Sequence, residues 1–571
     1  MMRIVVLVVL CCSLALVACA SSRALGLTSP TPTAVATYAP PTPTPLPPLA
    51  LTQDELLGAP GITAGCDAPP EAGFICEAET VAPVLEVNTA ASTYARWSLR
   101  WGEVVAPLTG DETLVLHLNR SGTLAPNLYL VEVGGNRLGV SLARFGLTDG
   151  DRTLYIPLRE VRDMDGNMPN FAAVNEIQIV FEWADMQGML ALASVRFTDA
   201  WEEPVTIGDA ATALAAGLTM PPGFVADVVA DNLPANTEIE FAPNGDMLVS
   251  LQEGRIWWYM DTNGDQIYDR RRLYATGSTE VVGLLYDPTD GAIWIGGRGA
   301  LVRTLDTDGN GVADLRETRF EGLPWGRHQN NGLEWNPAPD PFSGEPGETW
   351  IYFGLGSTDD LNVGGEYNAT VMRFPRTGQS ADDLEIISHG NRNTYDVVWA
   401  YLPVDPADPQ GPRTWALFGS ENGPDFNDAP DEVNHIRWGH DYGFPDQFGM
   451  VSDDAVEGDP YSSPVYPVVA HTSADGLAYI DHPDWPQEYR TLYVALFGEV
   501  FSPTKVGHTV ERIGLTAATM PDGEPTYRGE PSDFVVGLDR PLPMATGPDG
   551  NMLVGDYATG VVYRIRYAGL P

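Results

Sequence analysis

Lysine is almost missing from this 571-residue chain: Lys505 is the single one, so nearly all positive charge is arginine. Positive charge is itself scarce, with 32 Lys plus Arg against 77 Asp plus Glu and a formal net charge of −45. That balance argues against nucleic acid or an anionic lipid surface as partner and leaves a sugar, a cation or a basic redox protein. Cysteine is rare too. After Cys19 only Cys66 and Cys76 remain, too few for zinc or thiol chemistry. No haem-attachment motif occurs, so any cytochrome that takes electrons from this chain is a separate protein. The one long apolar run, Ile4 to Ala18, is short for a bilayer span. What is present is ample: 44% hydrophobic residues, enough for packed cores in more than one domain.

The N-terminus reads as an address. Arg3 precedes the apolar run, which ends in Leu16-Val17-Ala18-Cys19 and is similar to a bacterial lipobox. The resemblance implies a signal peptide over 1–19, acylation of Cys19 after cleavage, and an extracytoplasmic protein anchored to the cell membrane by lipid. A plain secretory peptide with an incidental Cys19 is the other reading. Residues 20–60 follow as a linker whose Pro/Thr-rich part, about Ser29 to Pro48, cannot build a core and serves as a spacer. In an oxidising compartment the spacing of Cys66 and Cys76 suits a local disulfide. Over 61–205 the pattern is alternating strands, such as Thr113 to Leu118, Asn127 to Val133, Arg152 to Pro157 and Glu176 to Phe181, which predicts a β-sandwich. Its ending, Gly188 to Phe197, resembles the last strands of jelly-roll carbohydrate-binding modules. Glycan binding and a plain spacer role both stay open.

From 206 to 571 the chain repeats. A proline that closes one short apolar strand and precedes another recurs at Pro243, Pro288, Pro337, Pro403, Pro483 and Pro548. Each is followed by an apolar strand: Met247 to Leu251, Ala292 to Gly297, Thr349 to Gly354, Arg413 to Gly419, Arg490 to Leu496 and Asn551 to Gly555. Six units of short strands predict a six-bladed β-propeller. The proline spacing grows from about 45 residues to about 80, so loops have been inserted in the later blades. Residues just ahead of each innermost strand face the central axis: Thr237-Glu238, Ser278-Thr279-Glu280, His328-Gln329, Arg392-Asn393, His471-Thr472 and Arg540. A base and several cations aimed at one axis suggest an active site, although ordinary turn residues would also be polar.

Two loops have calcium-type spacing, each starting eighteen residues after its blade proline. The second offers Asp306, Asp308, Asn310, the Val312 carbonyl, Asp314 and Glu317, with Gly311 at the sharp turn. The first offers Asp261, Asn263, Asp265, the Ile267 carbonyl and Asp269, but has Gln266 and Arg272 where Gly and Glu belong. It reads equally as an Asp/Asn-rich hairpin.

Four motifs then carry a resemblance: His328-Gln329-Asn330-Asn331-Gly332-Leu333; Gly390-Asn391-Arg392-Asn393; Glu421-Asn422-Gly423-Pro424 with Asp431-Glu432-Val433-Asn434 and Asp441-Tyr442-Gly443-Phe444-Pro445; and Arg540-Pro541 with Pro548-Asp549-Gly550. The chain from about Pro222 onward resembles the soluble glucose/sorbosone dehydrogenases that use pyrroloquinoline quinone (PQQ). The resemblance implies oxidation of a sugar or related alcohol by hydride transfer, with His328 as base. It assigns Arg392 and Asn393 to PQQ and to the charge developing on it, and the Gly423 and Pro424 carbonyls to a Ca²⁺ that polarises the quinone. Arg540 would meet a PQQ carboxylate, His471 and Thr472 would line the pocket, and Lys505 would stand in for a cofactor-contacting lysine expected near Gly498. Electrons would pass to an external acceptor, such as a separate cytochrome or quinone. The chain departs from the pattern at Ser278 or Glu280, at Ser357-Thr358 where Asp-Gln is expected, and at Leu542. Two further readings therefore stand beside the dehydrogenase: a propeller that has lost the quinone and binds a glycan or other ligand, and a calcium-dependent lactonase-type hydrolase using Glu238 and Glu280.

Overall fold

The computed structural model describes residues 56–570, apart from short stretches that include 58–61, 77–82, 102–107, 162–167, 425–427, 451–460, 500–504 and 520–524. The expected signal peptide, Cys19 and the Pro/Thr-rich stretch lie outside the described residues. Everything below belongs to one compact unit, 51–571. Among the described residues no helix is long and apolar enough to cross a membrane.

Two five-stranded antiparallel sheets come first. One runs Ile62–Asp67, Ala95–Trp101, Val174–Phe181, Asn127–Glu132, Arg137–Ser141; the other runs Phe74–Cys76, Val84–Thr89, Met186–Thr198, Thr113–Gly122, Gly150–Pro157. Their alternate residues, among them Trp97, Leu99, Ile177, Ile179, Leu116 and Leu192, are buried between the sheets in one core, as period-two patterning requires. Leu56 and Leu57 belong to this core, and the Leu56 amide bonds the Val195 carbonyl at 2.9 Å. The packed chain thus starts before residue 61, inside the predicted linker. Cys66 and Cys76 are joined by a disulfide. The segment Glu203–Pro204 pairs with Arg270 and Arg271 of the next sheet, so it sits on the outer edge of the first blade.

Six more sheets of four or five strands make the propeller. The innermost strands are Asn236–Phe241, Gly283–Tyr286, Asn330–Trp335, Thr394–Pro403, Ala474–Tyr479 and Pro541–Thr546, and each ends at or within a few residues of one of the six repeat prolines. Proline suits that place because it has no N–H to give to a ladder. Phe224–Ala230 closes the ring: it pairs with Val562–Tyr567 and so completes the sixth blade with the first strand of the region. Closure removes the free edges an open sheet would expose. Phe224 lies edge-on to Trp485, Tyr489, Phe534 and Tyr567 at 4.8–5.1 Å, which clamps the closing strand against two blades.

Candidate active site at the channel mouth

At one mouth of the channel a cavity of about 220 Å³ is lined by Arg327, His328, Arg392, Asn393, Asn422, Gly423, Asp431, His471, Ser473 and Gly498. The repeat register therefore does bring His328, Arg392, Asn393 and His471 together. His328 Nδ1 lies 2.9 Å from the Ser357 carbonyl. A carbonyl can only accept, so Nδ1 carries the proton and Nε2 keeps a free lone pair. Burial, with the neighbouring Arg392 charge second, pushes the His328 pKa down to about 3. The imidazole is thus neutral and oriented across the whole physiological range, as a proton acceptor must be.

Arg392 is the wall's anchor. It is only 1% exposed; its Nη1 donates to the Asn422 and Gly423 carbonyls, both at 2.7 Å, and its Nη2 pairs with Asp360. Its Nε is buried without a partner. The backbone N–H of Arg392 donates to Glu421 Oε1 at 2.7 Å, and Asn434 Nδ2 bridges Glu421 and Glu432 at 3.0 and 3.1 Å. Burial and mutual repulsion hold the pKa of Glu421 well above the carboxylate range. Asn393 is spent internally: its Oδ1 accepts from Asn331 at 2.9 Å and its Nδ2 donates to Asn422 at 2.8 Å. This row of amides stiffens the wall.

The other predicted residues fall differently. Thr472 is outside the lining, but its hydroxyl donates to the lining residue Asp431 at 2.9 Å, while His471 stands 3.8 Å from Asp428. Arg540 does not line the cavity; it stacks over Phe497 at 4.7 Å, and Phe497 adjoins the lining residue Gly498. Lys505 is exposed and outside the lining. Ser278 accepts from Arg316 at 2.9 Å, and Glu280 is paired with Arg298. Glu238 does not face the mouth at all. It lies deeper in the channel with Glu240, Glu334 and Asp396 around a cavity of about 680 Å³. Among the described residues no three His, Cys, Asp or Glu side chains are grouped to hold a metal, and Glu280 is not among the residues lining the Glu238 cavity.

The two Asp-rich loops satisfy their own carboxylates. Asp306 accepts from the Gly309, Asn310 and Gly311 amides, and Asp314 from Thr307; Asp261 and Asp269 do the same in the first loop. Asn263 and Asp265 accept from the amides two residues on, and the Asn310 side chain from Val312. Glu317 is paired with Arg303 and Arg319 at 3.3 and 3.0 Å, on its strand rather than over the loop. Asp308 lies outside the described residues. These are tight hairpin turns of Asx type as they stand.

A Ca²⁺ at the Gly423 carbonyl would share that oxygen with the Arg392 guanidinium, which already donates to it at 2.7 Å. The quinone's carboxylates fit better: Arg392 Nε is an orphaned buried donor, and Arg327 shares the cavity. Sequence signals for Asp360 and the Ser357 carbonyl were absent, since one acts from a loop and the other through its backbone.

The chain matches no protein-family model and no curated protein. Among solved structures it is similar to the holo PQQ domain of pyranose dehydrogenase from Coprinopsis cinerea, at 15% identity over 61% of this chain and 97% of that one, TM-score 0.48. The calcium structure of a family AA12 carbohydrate-active enzyme from Trichoderma reesei gives 14% identity over 62% and 97%, TM-score 0.48. The PQQ-bound aldose sugar dehydrogenase from Streptomyces coelicolor gives 19% over 61% and 99%, TM-score 0.43. Residue roles do not transfer at these identities.

Proposed function

We propose that the channel mouth oxidises a sugar or related alcohol, with His328 taking the hydroxyl proton and PQQ taking the hydride. The observation that carries this reading is the His328 ring, held through Nδ1 by the Ser357 carbonyl in the lining of a cavity shared with Arg327 and Arg392, which leaves Nε2 as its basic nitrogen. Bound PQQ would supply the hydride-accepting quinone; of the cations expected to meet its carboxylates, Arg392 lines the cavity together with Arg327, while Arg540 and Lys505 stand outside the lining. His328 accepts the proton at Nε2 while Ser357 keeps the ring in place. The imidazolium so formed faces the Arg392 charge, which favours passing the proton on. No step is routed through calcium. Electrons leave to an external cytochrome or quinone.

The pairing of Asp360 with Arg392 favours a second reading, a propeller that binds its ligand without the quinone. Asp360 competes with any anionic cofactor for the same guanidinium. Asp360→Asn should therefore tighten PQQ binding by about ten-fold in calorimetry; unchanged or absent binding in both forms would move the site to the second reading. Outside the described residues, we also propose that Cys19 is acylated and tethers the protein on the extracytoplasmic face. Cys19→Ser should shift the protein from the membrane fraction to the soluble one, and a membrane-bound variant would refute the anchor.

A further inference from the structure

The channel that carries His328 at one mouth holds a larger cavity at the other. Each innermost strand runs away from the His328 mouth, so residues near its far end, such as Trp335 and Tyr401, lie at the opposite opening; both line the cavity of about 680 Å³ there. Tyr395 divides the two cavities. It reaches across the axis from the fourth innermost strand, and its hydroxyl donates to the Thr237 carbonyl of the first at 3.4 Å.

The chemistry of the far cavity is of one sign. Glu238 and Glu240, two apart on the first strand and so on one side of it, line it with Glu334 of the third strand and Asp396 of the fourth, and no Lys, Arg or His joins them. Two of these carboxyls are satisfied by amides. Asp396 accepts from Val397 and Leu477, both at 2.8 Å, and Glu240 accepts from Phe241 at 2.7 Å. The other two are not. Glu238, only 8% exposed, accepts through Oε1 alone, from the Ile239 amide at 3.1 Å, and Glu334 accepts from no group among the described residues. None of these three free oxygens is sealed off by surrounding protein, and both residues line the cavity. A carboxyl taken this far from water normally has donors on both oxygens, so the missing donor belongs to a ligand.

The walls select that donor. Phe241, Trp335, Trp415 and Tyr401 line the same cavity, and Tyr401, 40% exposed, has its ring centroid 4.9 Å from that of Trp415. Aromatic faces beside carboxylates attract a cation that carries hydrocarbon. The lip already holds one from outside: Arg413, not itself in the lining, stacks over Tyr401 at 5.3 Å and stands 3.4 Å from Asp481. The inner carboxyls have no such counterpart. A metal ion fits less well, because it needs a close cage of oxygens and no three acidic side chains among the described residues are grouped to give one.

We propose that the far mouth binds an organic ammonium ion, its charged head among Glu238, Glu240 and Glu334 and its hydrocarbon against Phe241, Trp335 and Trp415. The site is separate from His328 and does not depend on the redox reading.

The test is calorimetry at pH 8 on the chain from Leu51 onward, with phenethylamine, benzyltrimethylammonium and spermidine as probes, phenylethanol as the neutral counterpart of phenethylamine, and Ca²⁺ and Mg²⁺ as an inorganic arm. At least one ammonium probe is expected to bind and to raise the urea midpoint, with the neutral counterpart at least about ten-fold weaker. Glu334→Gln and Glu240→Gln should each weaken the ammonium by at least about ten-fold. Their own urea midpoints, measured without probe, exclude misfolding as the cause. Binding should persist in His328→Ala, since Tyr395 stands between the two cavities. No ammonium binding, equal binding of the neutral probe, binding of the metal ions alone, affinity unchanged in both glutamine variants, or loss of binding in His328→Ala overturns the proposal.

Discussion

Replacing His328 with alanine should cut sugar-dependent dye reduction by about 10²–10⁴-fold, the usual contribution of a positioned general base, while PQQ affinity changes little. The measurement is made on the chain from Leu51 onward, loaded with PQQ with and without Ca²⁺, against a panel of aldoses. The prediction follows from the ring's geometry: Nδ1 is committed to Ser357, so Nε2 is the available acceptor. It also fixes a pH signature. Because burial and Arg392 hold the imidazole neutral down to about pH 3, kcat/KM should not fall across pH 7 to 5, where an ordinary histidine would protonate. An acid limb centred near 6.5 would show that the base lies elsewhere. Full activity in the alanine variant would remove His328 from the chemistry, and failure of PQQ to bind a folded chain would leave the quinone-free reading.

The repeat was readable because proline can close a strand but cannot donate to its ladder. Six prolines therefore placed six innermost strands, and Met247–Leu251 was delimited to the residue. The residues ahead of those strands put His328, Arg392, Asn393 and His471 at one mouth. Glu238 was misplaced because its strand begins earlier, at Asn236, so residue 238 already points down the channel. Long-range partners left no local trace. Phe224–Ala230 pairs with a strand more than 330 residues later, and Asp360 reaches Arg392 from a loop. The calcium assignment rests on backbone carbonyls, and sequence could not reveal that Arg392 donates to the one at Gly423. The polar face of the sandwich was legible as alternation, but the burial of Glu176 and Gln178 depends on how neighbouring strands align.

Stability should decline as pH rises from about 5 to 8, opposite to the trend for a protein held by salt-bridged carboxylates. Glu238, Glu240, Glu334 and Asp396 face one another inside the channel, and no Lys, Arg or His is among the residues lining that cavity. Burial, the main cause, pushes Glu240 up from 4.5 to about 7; burial with repulsion from Asp396 raises Glu238, and burial with repulsion from Glu240 and Asp396 raises Glu334. Their folded values lie above their unfolded ones, so the native state binds more protons between the two. The stability they contribute is complete below about pH 4.5, is lost as pH climbs through the folded values, and levels off above about pH 7 for Glu240. Each group can contribute at most about 1.4 kcal/mol per pH unit, and less here because the channel admits water to Glu240 and Glu334. Below about pH 4 the trend reverses, since Asp227, Asp359 and Asp383 are held low by arginines or backbone amides and must protonate. Urea titrations at pH 5 and 8 on the native chain, Glu240→Gln and Glu334→Gln isolate the channel from the general repulsion of a −45 charge. The glutamine variants should gain stability at pH 8, change little at pH 5, and flatten the slope between. A native chain that strengthens toward pH 8, or variants with the parent's slope, would mean that the channel acids are ionised and solvated.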